Sequence, residues 1–233
     1  MKECVLTDEN KEIVRRRLKE EYPNAGCALE FGSPYELLVA TMLSAQCTDV
    51  RVNIVTGKLF AEYNTAQKML SLSQAELEEY IRSCGFYHSK ASNILKTSHM
   101  LVDMYGGDVP KDKELLQKLP GVGRKTANVV CAEAFSIPGI AVDTHVFRVA
   151  NRIGLTCASD ELHTEMQLMN SFDSSEWISL HHLLIFHGRQ CCKAQRPECG
   201  KCVVADMCLG KIAVLNRKQE RAHAKNNPLD KAV

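Results

Sequence analysis

Leu119-Pro120-Gly121-Val122-Gly123-Arg124-Lys125-Thr126 is the stretch on which the reading of this chain turns. Pro120 ends the preceding element, and two glycines two residues apart permit the positive φ angles and close backbone approach that a short turn between helices needs. Residues 126–135 then read as the second helix. A helix start presents backbone N–H groups and a partial positive charge, which suits the region of Gly121 and Gly123 to hold a phosphate. Lys125 stands beside that seat as an amine able to attack carbon. A plain corner between helices uses similar residues, so the meaning of the stretch depends on what accompanies it.

The chain has 233 residues, 45% of them hydrophobic, enough for one large or two modest cores. No apolar run approaches the ~20 residues of a membrane span, and residues 1–22 are too charged for a secretory signal. The expectation is a cytoplasmic protein with no membrane partner. Eleven cysteines in a reducing compartment favour metal ligation and buried thiols over disulfides. The formal net charge of +1 hides a segregation. Residues 111–152 carry 7 Lys/Arg against 4 Asp/Glu and residues 187–233 carry 10 against 4, whereas residues 153–186 carry 5 acids and no Lys or Arg. The basic segments are the ones that hold the motifs, as a polyanionic partner would require, although solvated faces show the same segregation.

Strand signals are scarce while helix starts recur, so the expected fold class is all-α. Ser33-Pro34 places a cap before a first-turn proline, with apolar residues from Leu37 to Ala45 at helical spacing. Thr48-Asp49 opens a helix toward Phe60, Ser73 with Glu76 forms a capping box, and Ser89 precedes a stripe through Ile94, Leu101 and Tyr105 that Gly106-Gly107 closes. Further helices are expected over residues 113–119, 144–153, 161–169 and 176–187, and fraying over 221–233.

Cys192, Cys199, Cys202 and Cys208 are separated by six, two and five residues, short enough to wrap one ion or cluster. Four thiolates suit zinc or an iron-sulfur cluster, and the two-residue spacing occurs once here, where zinc ribbons usually repeat it. Lys193, Arg196 and Lys201 ride on the loops between these ligands, where a cluster would fix them toward phosphates. The other seven cysteines sit mostly among apolar neighbours and read as small core residues.

Taken with Leu43-Ser44-Ala45-Gln46-Cys47-Thr48-Asp49, Ala141 through Arg148, and His187-Gly188-Arg189, these segments resemble the helix-hairpin-helix DNA glycosylases, in particular the endonuclease III group. The resemblance runs from Phe31 through Cys208. It implies a two-lobed, all-α helix-hairpin-helix glycosylase fold. A six-helix barrel would occupy residues 27–137 and contain the hairpin, and residues 1–26 with 138–233 would form a discontinuous domain bearing a [4Fe-4S] cluster on the four cysteines. It further implies a monomer that removes oxidised pyrimidines from double-stranded DNA and cleaves the abasic site. By matched position Lys125 is the nucleophile and Asp143 the catalytic aspartate, Gln46 enters the space left by a displaced base, and Phe86 corresponds to an apolar wedge where one member of the family carries leucine. Gly121, Gly123, Arg124, Thr144 and Arg148 complete the expected DNA contacts, with Arg189 and His145 as further candidates.

The chemistry is consistent with those residue types. An amine attacking the sugar C1′ displaces the base and leaves a Schiff base, from which the 2′ proton and the 3′ phosphate depart. The amine must be neutral to attack, and a helix end favours that by only about 0.3–1 kcal/mol, so the reading asks for partial burial of Lys125. Asp143 can take the proton and stabilise positive charge on the sugar, and Asp143-Thr144 also reads as a helix cap. Phe86 is open to a second reading as a core aromatic. An adenine glycosylase normally has glutamate where Thr41 stands and lacks the lysine, and a thymine-mismatch glycosylase usually replaces the lysine. A DNA-binding module without chemistry would need the hairpin but not Lys125 and Asp143, and an iron-sulfur electron carrier would not need the hairpin.

Overall fold

The computed structural model describes residues 4–212 of the chain, so the fraying expected over 221–233 lies outside the described residues. Every regular element among the described residues is a helix: α1 (Asp8–Glu21), α2 (Pro34–Ser44), α3 (Asp49–Leu59), α4 (Ala66–Met69), α5 (Gln74–Ile81), α6 (Tyr87–Tyr105), α7 (Lys113–Leu116), α8 (Arg124–Phe135), α9 (Thr144–Ile153), α10 (Glu161–Ser171) and α11 (Trp177–Gln190). Among the described residues no helix is long and apolar enough to cross a membrane. The all-α expectation holds.

Two compact units divide the chain, Gly26–Ala141 and the described parts of Met1–Ala25 with Val142–Val233. In the first, α2 is apolar on every side, and Leu37, Leu38, Val39, Ala40 and Leu43 are fully buried. A helix of that kind serves as the centre of a helical layer rather than its surface. Around it lie α3, α6 and α8, with α5 packed on α3 and α6, and the four contribute Val52, Leu59, Leu77, Ile81, Ile94, Leu101, Ala127 and Val130 to one core. Ser33 and the Ser73–Glu76 capping box start their helices as the sequence suggests. In the second unit α9 packs on α11 and α1 packs on α11. Gly188 allows the first of these contacts, because a Cβ there would lie 3.0–3.1 Å from Arg148, His145 and Val149.

The hairpin differs from expectation in two respects. Only Gly121 adopts a positive φ, of 76°, while Gly123 is extended at φ −87° and caps the next helix. That helix, α8, begins at Arg124 rather than Thr126, which places Arg124 and Lys125 in its first turn. Gly121 is required twice over, since a Cβ would meet the Asn93 side chain at 2.9–3.1 Å. Gly121→Ala is therefore expected to cost about 2 kcal/mol in denaturant unfolding, and Gly123→Ala under about 1 kcal/mol, the loss of a glycine cap. Helix α6 likewise starts at Tyr87, before Ser89, because the chain enters it through a left-handed Phe86 rather than a side-chain cap. Helix α7 closes after Leu116, short of the expected 119, and α11 continues to Gln190.

Candidate functional site

Within Gly26–Ala141 the hairpin is held from below. Val122 is buried, its N–H bonds Leu119 O at 3.1 Å, and the Thr97 hydroxyl on α6 donates to Pro120 O at 2.9 Å. Ala127 N bonds Gly123 O at 3.0 Å, which closes the first turn of α8 over Arg124 and Lys125. Gly121, Gly123, Arg124 and Lys125 are all exposed. Nothing lies within 4 Å of an added Cβ on Gly123, so a ligand backbone has room to approach. The exposure of Lys125 corrects the expectation of partial burial: this amine stands in water until something covers it.

Two further candidates in the same unit share an unusual backbone. Gln46 has φ 54° and Phe86 has φ 48°, both left-handed, a conformation that costs a side-chain-bearing residue about 1–2 kcal/mol. Both are exposed, Phe86 by 68%. That exposure excludes the reading of Phe86 as a core aromatic. Thr41, by contrast, is buried and spends its hydroxyl on Leu37 O at 2.7 Å.

In the other unit Asp143 is half-buried and caps α9. Its Oδ1 accepts from His145 N and Val146 N, each at 2.8 Å. Both bonds use one oxygen. Thr144 is exposed. Arg148, expected on DNA, is spent on protein carbonyls instead: its guanidinium donates to Gly188 O at 3.0 Å, Cys192 O at 3.1 Å and Thr144 O at 3.2 Å. Burial lowers the pKa of His145, which packs against the same guanidinium. Arg152, which sequence reasoning passed over, donates to Lys193 O at 2.8 Å and approaches Cys192 Sγ at 3.5 Å. Its position one turn beyond Arg148 on α9 was the available signal.

These two arginines fasten the cysteine loop. Cys192 and Cys208 are buried and Cys199 and Cys202 half-buried, and the Cys208 thiol bonds Arg152 O at 3.3 Å. His187 is buried beneath the loop. Burial pushes its pKa down to about 4 and that of Tyr22 up, so both are neutral; His187 Nδ1 shares a hydrogen bond with the Tyr22 hydroxyl at 3.0 Å, and Nε2 faces Cys202 Sγ at 3.6 Å. Burial raises the Cys202 and Cys208 thiols, so holding them as thiolates would take a cationic centre. A single zinc ion brings its sulfurs to roughly 4 Å of one another. The four cysteines form no group that tight, whereas His187, Cys191 and Cys202 lie within 4.8 Å. Four cysteine thiols, two buried and two half-buried on one short loop, are a donor set that suits an iron-sulfur cluster. Of the loop cations, Lys193 and Lys201 both pair with Glu198, at 2.6 and 3.5 Å, and Arg196 is exposed. Arg148→Met is expected to speed loss of the iron-sulfur absorbance under mild denaturant about tenfold or more, because buried carbonyls lose a charged donor.

The sequence from 39 to 174 matches the model of the HhH-GPD superfamily base excision DNA repair proteins. The chain belongs to that superfamily. Residues 192–208, bounded by the first and last of the four cysteines, match the iron-sulfur binding domain of endonuclease III. Among relatives of this HhH-GPD chain, endonuclease III of Bacillus subtilis (strain 168) is 48% identical over 193 residues, 82% of this chain and 88% of the relative. Endonuclease III of Escherichia coli (strain K12) is 46% identical over 192 residues, 82% and 91% of the two chains. The solved structure of a trapped endonuclease III–DNA covalent intermediate is similar at TM-score 0.86 and 45% identity, covering 91% of this chain and all of that one. A thermostable thymine-DNA glycosylase, at TM-score 0.80 and 20% identity, shares the fold. This HhH-GPD protein is thus a base excision repair glycosylase of the endonuclease III type with an iron-sulfur domain.

Proposed function

We propose that this chain is bifunctional, excising oxidised pyrimidines from duplex DNA and cleaving the resulting abasic site, with Lys125 as nucleophile and Asp143 as catalytic carboxylate. The observation that carries the reading is the exposed lysine in the first turn of α8, directly after the glycine turn. The name of a solved relative, a covalent intermediate trapped on DNA, supports it.

Gly121, Gly123 and Arg124 seat the strand at the hairpin, where backbone N–H groups and the start of α8 favour phosphate. Chemistry at C1′ needs the damaged nucleotide out of the stack, at a cost of a few kcal/mol. Gln46 fills the vacated space with an amide able to bond the orphaned base, and Phe86 is the wedge. Thr144 adds a strand contact, and Arg148 acts by shaping the cysteine loop. The bound strand supplies the dehydration that the exposed Lys125 lacks on its own. The Lys125 amine bonds C1′ as the glycosidic bond breaks, and the base leaves with the bonding electron pair and takes a proton from water. The Asp143 carboxylate accepts the proton lost by the amine and offsets positive charge on the sugar. Ring opening gives the Schiff base, the 2′ proton leaves, and the 3′ phosphate is eliminated. Cys192, Cys199, Cys202 and Cys208 hold a [4Fe-4S] cluster, which supplies a rigid frame for the loop.

A duplex with one thymine glycol, incubated with the protein and borohydride and run on a denaturing gel, tests the whole reading. Strand nicking without reductant and a slow-migrating adduct with it are expected. Tight binding with an intact strand and no adduct would reduce the protein to a DNA-binding module.

A further inference from the structure

Lys90 lies on α6 and is 7% exposed, yet no step above uses it. Its ammonium donates to three carbonyls: Leu43 O at 2.9 Å, Ala45 O at 2.7 Å and Cys84 O at 2.7 Å. A lysine ammonium has three donors and no acceptor, so all of its capacity is used, whereas a neutral amine has only two donors and a guanidinium presents its donors in a fixed planar fork. Leu43 and Ala45 form the end of α2, where unsatisfied carbonyls and the negative end of the helix dipole favour a cation. Cys84 ends the 3-10 turn that leads through Gly85 into α6. Burial lowers the pKa of Lys90, and the thiols of Cys84 and Cys47 act in the opposite direction.

The three acceptors occupy telling positions. Ala45 immediately precedes Gln46, and Cys84 is two residues before Phe86. Gln46 and Phe86 are the two exposed residues of this unit that the proposed function sends into the duplex, and both are left-handed. The backbone N–H of Lys90 also bonds Phe86 O, at 3.1 Å. One side chain therefore ties together the two loops whose strained residues must keep a fixed reach. Strain of that kind persists only where the surroundings over-determine it.

We propose that Lys90 is a positioning residue for base extrusion, its ammonium clamping the end of α2 to the entry of α6 so that Gln46 and Phe86 enter the duplex together. This rests on the assignment of those two residues to the extruded-base gap.

The test compares duplex with single-stranded abasic oligonucleotides, because only the duplex requires extrusion. For the cluster-loaded full chain, Lys90→Met is expected to slow single-turnover cleavage of the duplex about 10- to 100-fold, as small misplacements do. Schiff-base trapping on the single strand should stay within about twofold of the parent. Fluorescence of a 2-aminopurine placed opposite the lesion should show reduced unstacking. Lys90→Gln, which keeps two donors, should give an intermediate ratio and stands in if the methionine variant does not fold. An unchanged duplex-to-single-strand ratio in the folded variants, or equal losses on both substrates, overturns the clamp. The paired variant Gln46→Ala/Phe86→Ala separates this from the underlying assignment: if it leaves the ratio intact, those two residues do not enter the gap. If its ratio falls while that of Lys90→Met does not, the clamp alone is wrong.

Discussion

Lys125→Gln is expected to lower base excision and strand cleavage by at least ~10³-fold and to remove the borohydride-stable adduct, because the amide cannot form a carbon–nitrogen bond to the sugar. Binding should persist. Lys125 is exposed in the first turn of α8, away from the buried contacts of Val122 and Thr97 that fix the hairpin, so the substitution disturbs no packing. A gel-shift affinity for an abasic duplex within about threefold of the parent, measured beside the lost adduct, would separate chemistry from grip. A glutamine variant that still forms the adduct would assign the nucleophile elsewhere.

Asp143→Asn is the second large effect, and the cap geometry makes it clean. Both N–H groups at the start of α9 bond Oδ1, at 2.8 Å each, and an asparagine oxygen can accept the same two bonds. Asparagine is as good a cap as aspartate, so unfolding free energy should move by no more than about 0.5 kcal/mol. The lost carboxylate charge should nonetheless cost about 10²- to 10⁴-fold in single-turnover excision. Stability and rate thus come apart at one atom. An Asn variant with parental rate would leave Asp143 as a cap and nothing more.

The glycine hairpin and the four cysteines were legible because their chemistry is local: turn, helix start and ligand spacing lie within a few residues of one another. The capping box at Ser73 and the proline start of α2 were legible for the same reason. What escaped depended on distant partners or on backbone state. Arg148 read as a DNA contact and Arg152 was passed over, because the carbonyls of Gly188, Cys192 and Lys193 that engage them lie 40 residues or more further along the chain. Lys90 looks like any helix lysine until its acceptors, 47, 45 and 6 residues away, are brought to it. The left-handed turns at Gln46 and Phe86 have no compositional mark, since neither residue type prefers positive φ. The exposure of Lys125 escaped as well, because a pattern of residues says nothing of how deeply a first-turn side chain is covered.

The central claim is that the amine of the hairpin becomes bonded to deoxyribose. Digestion of the borohydride-trapped complex with a protease and a nuclease, followed by mass spectrometry of the modified peptide, reads the bonded residue directly. The sugar remnant is expected on Lys125 alone; its appearance on any other side chain, or on none, contradicts the account.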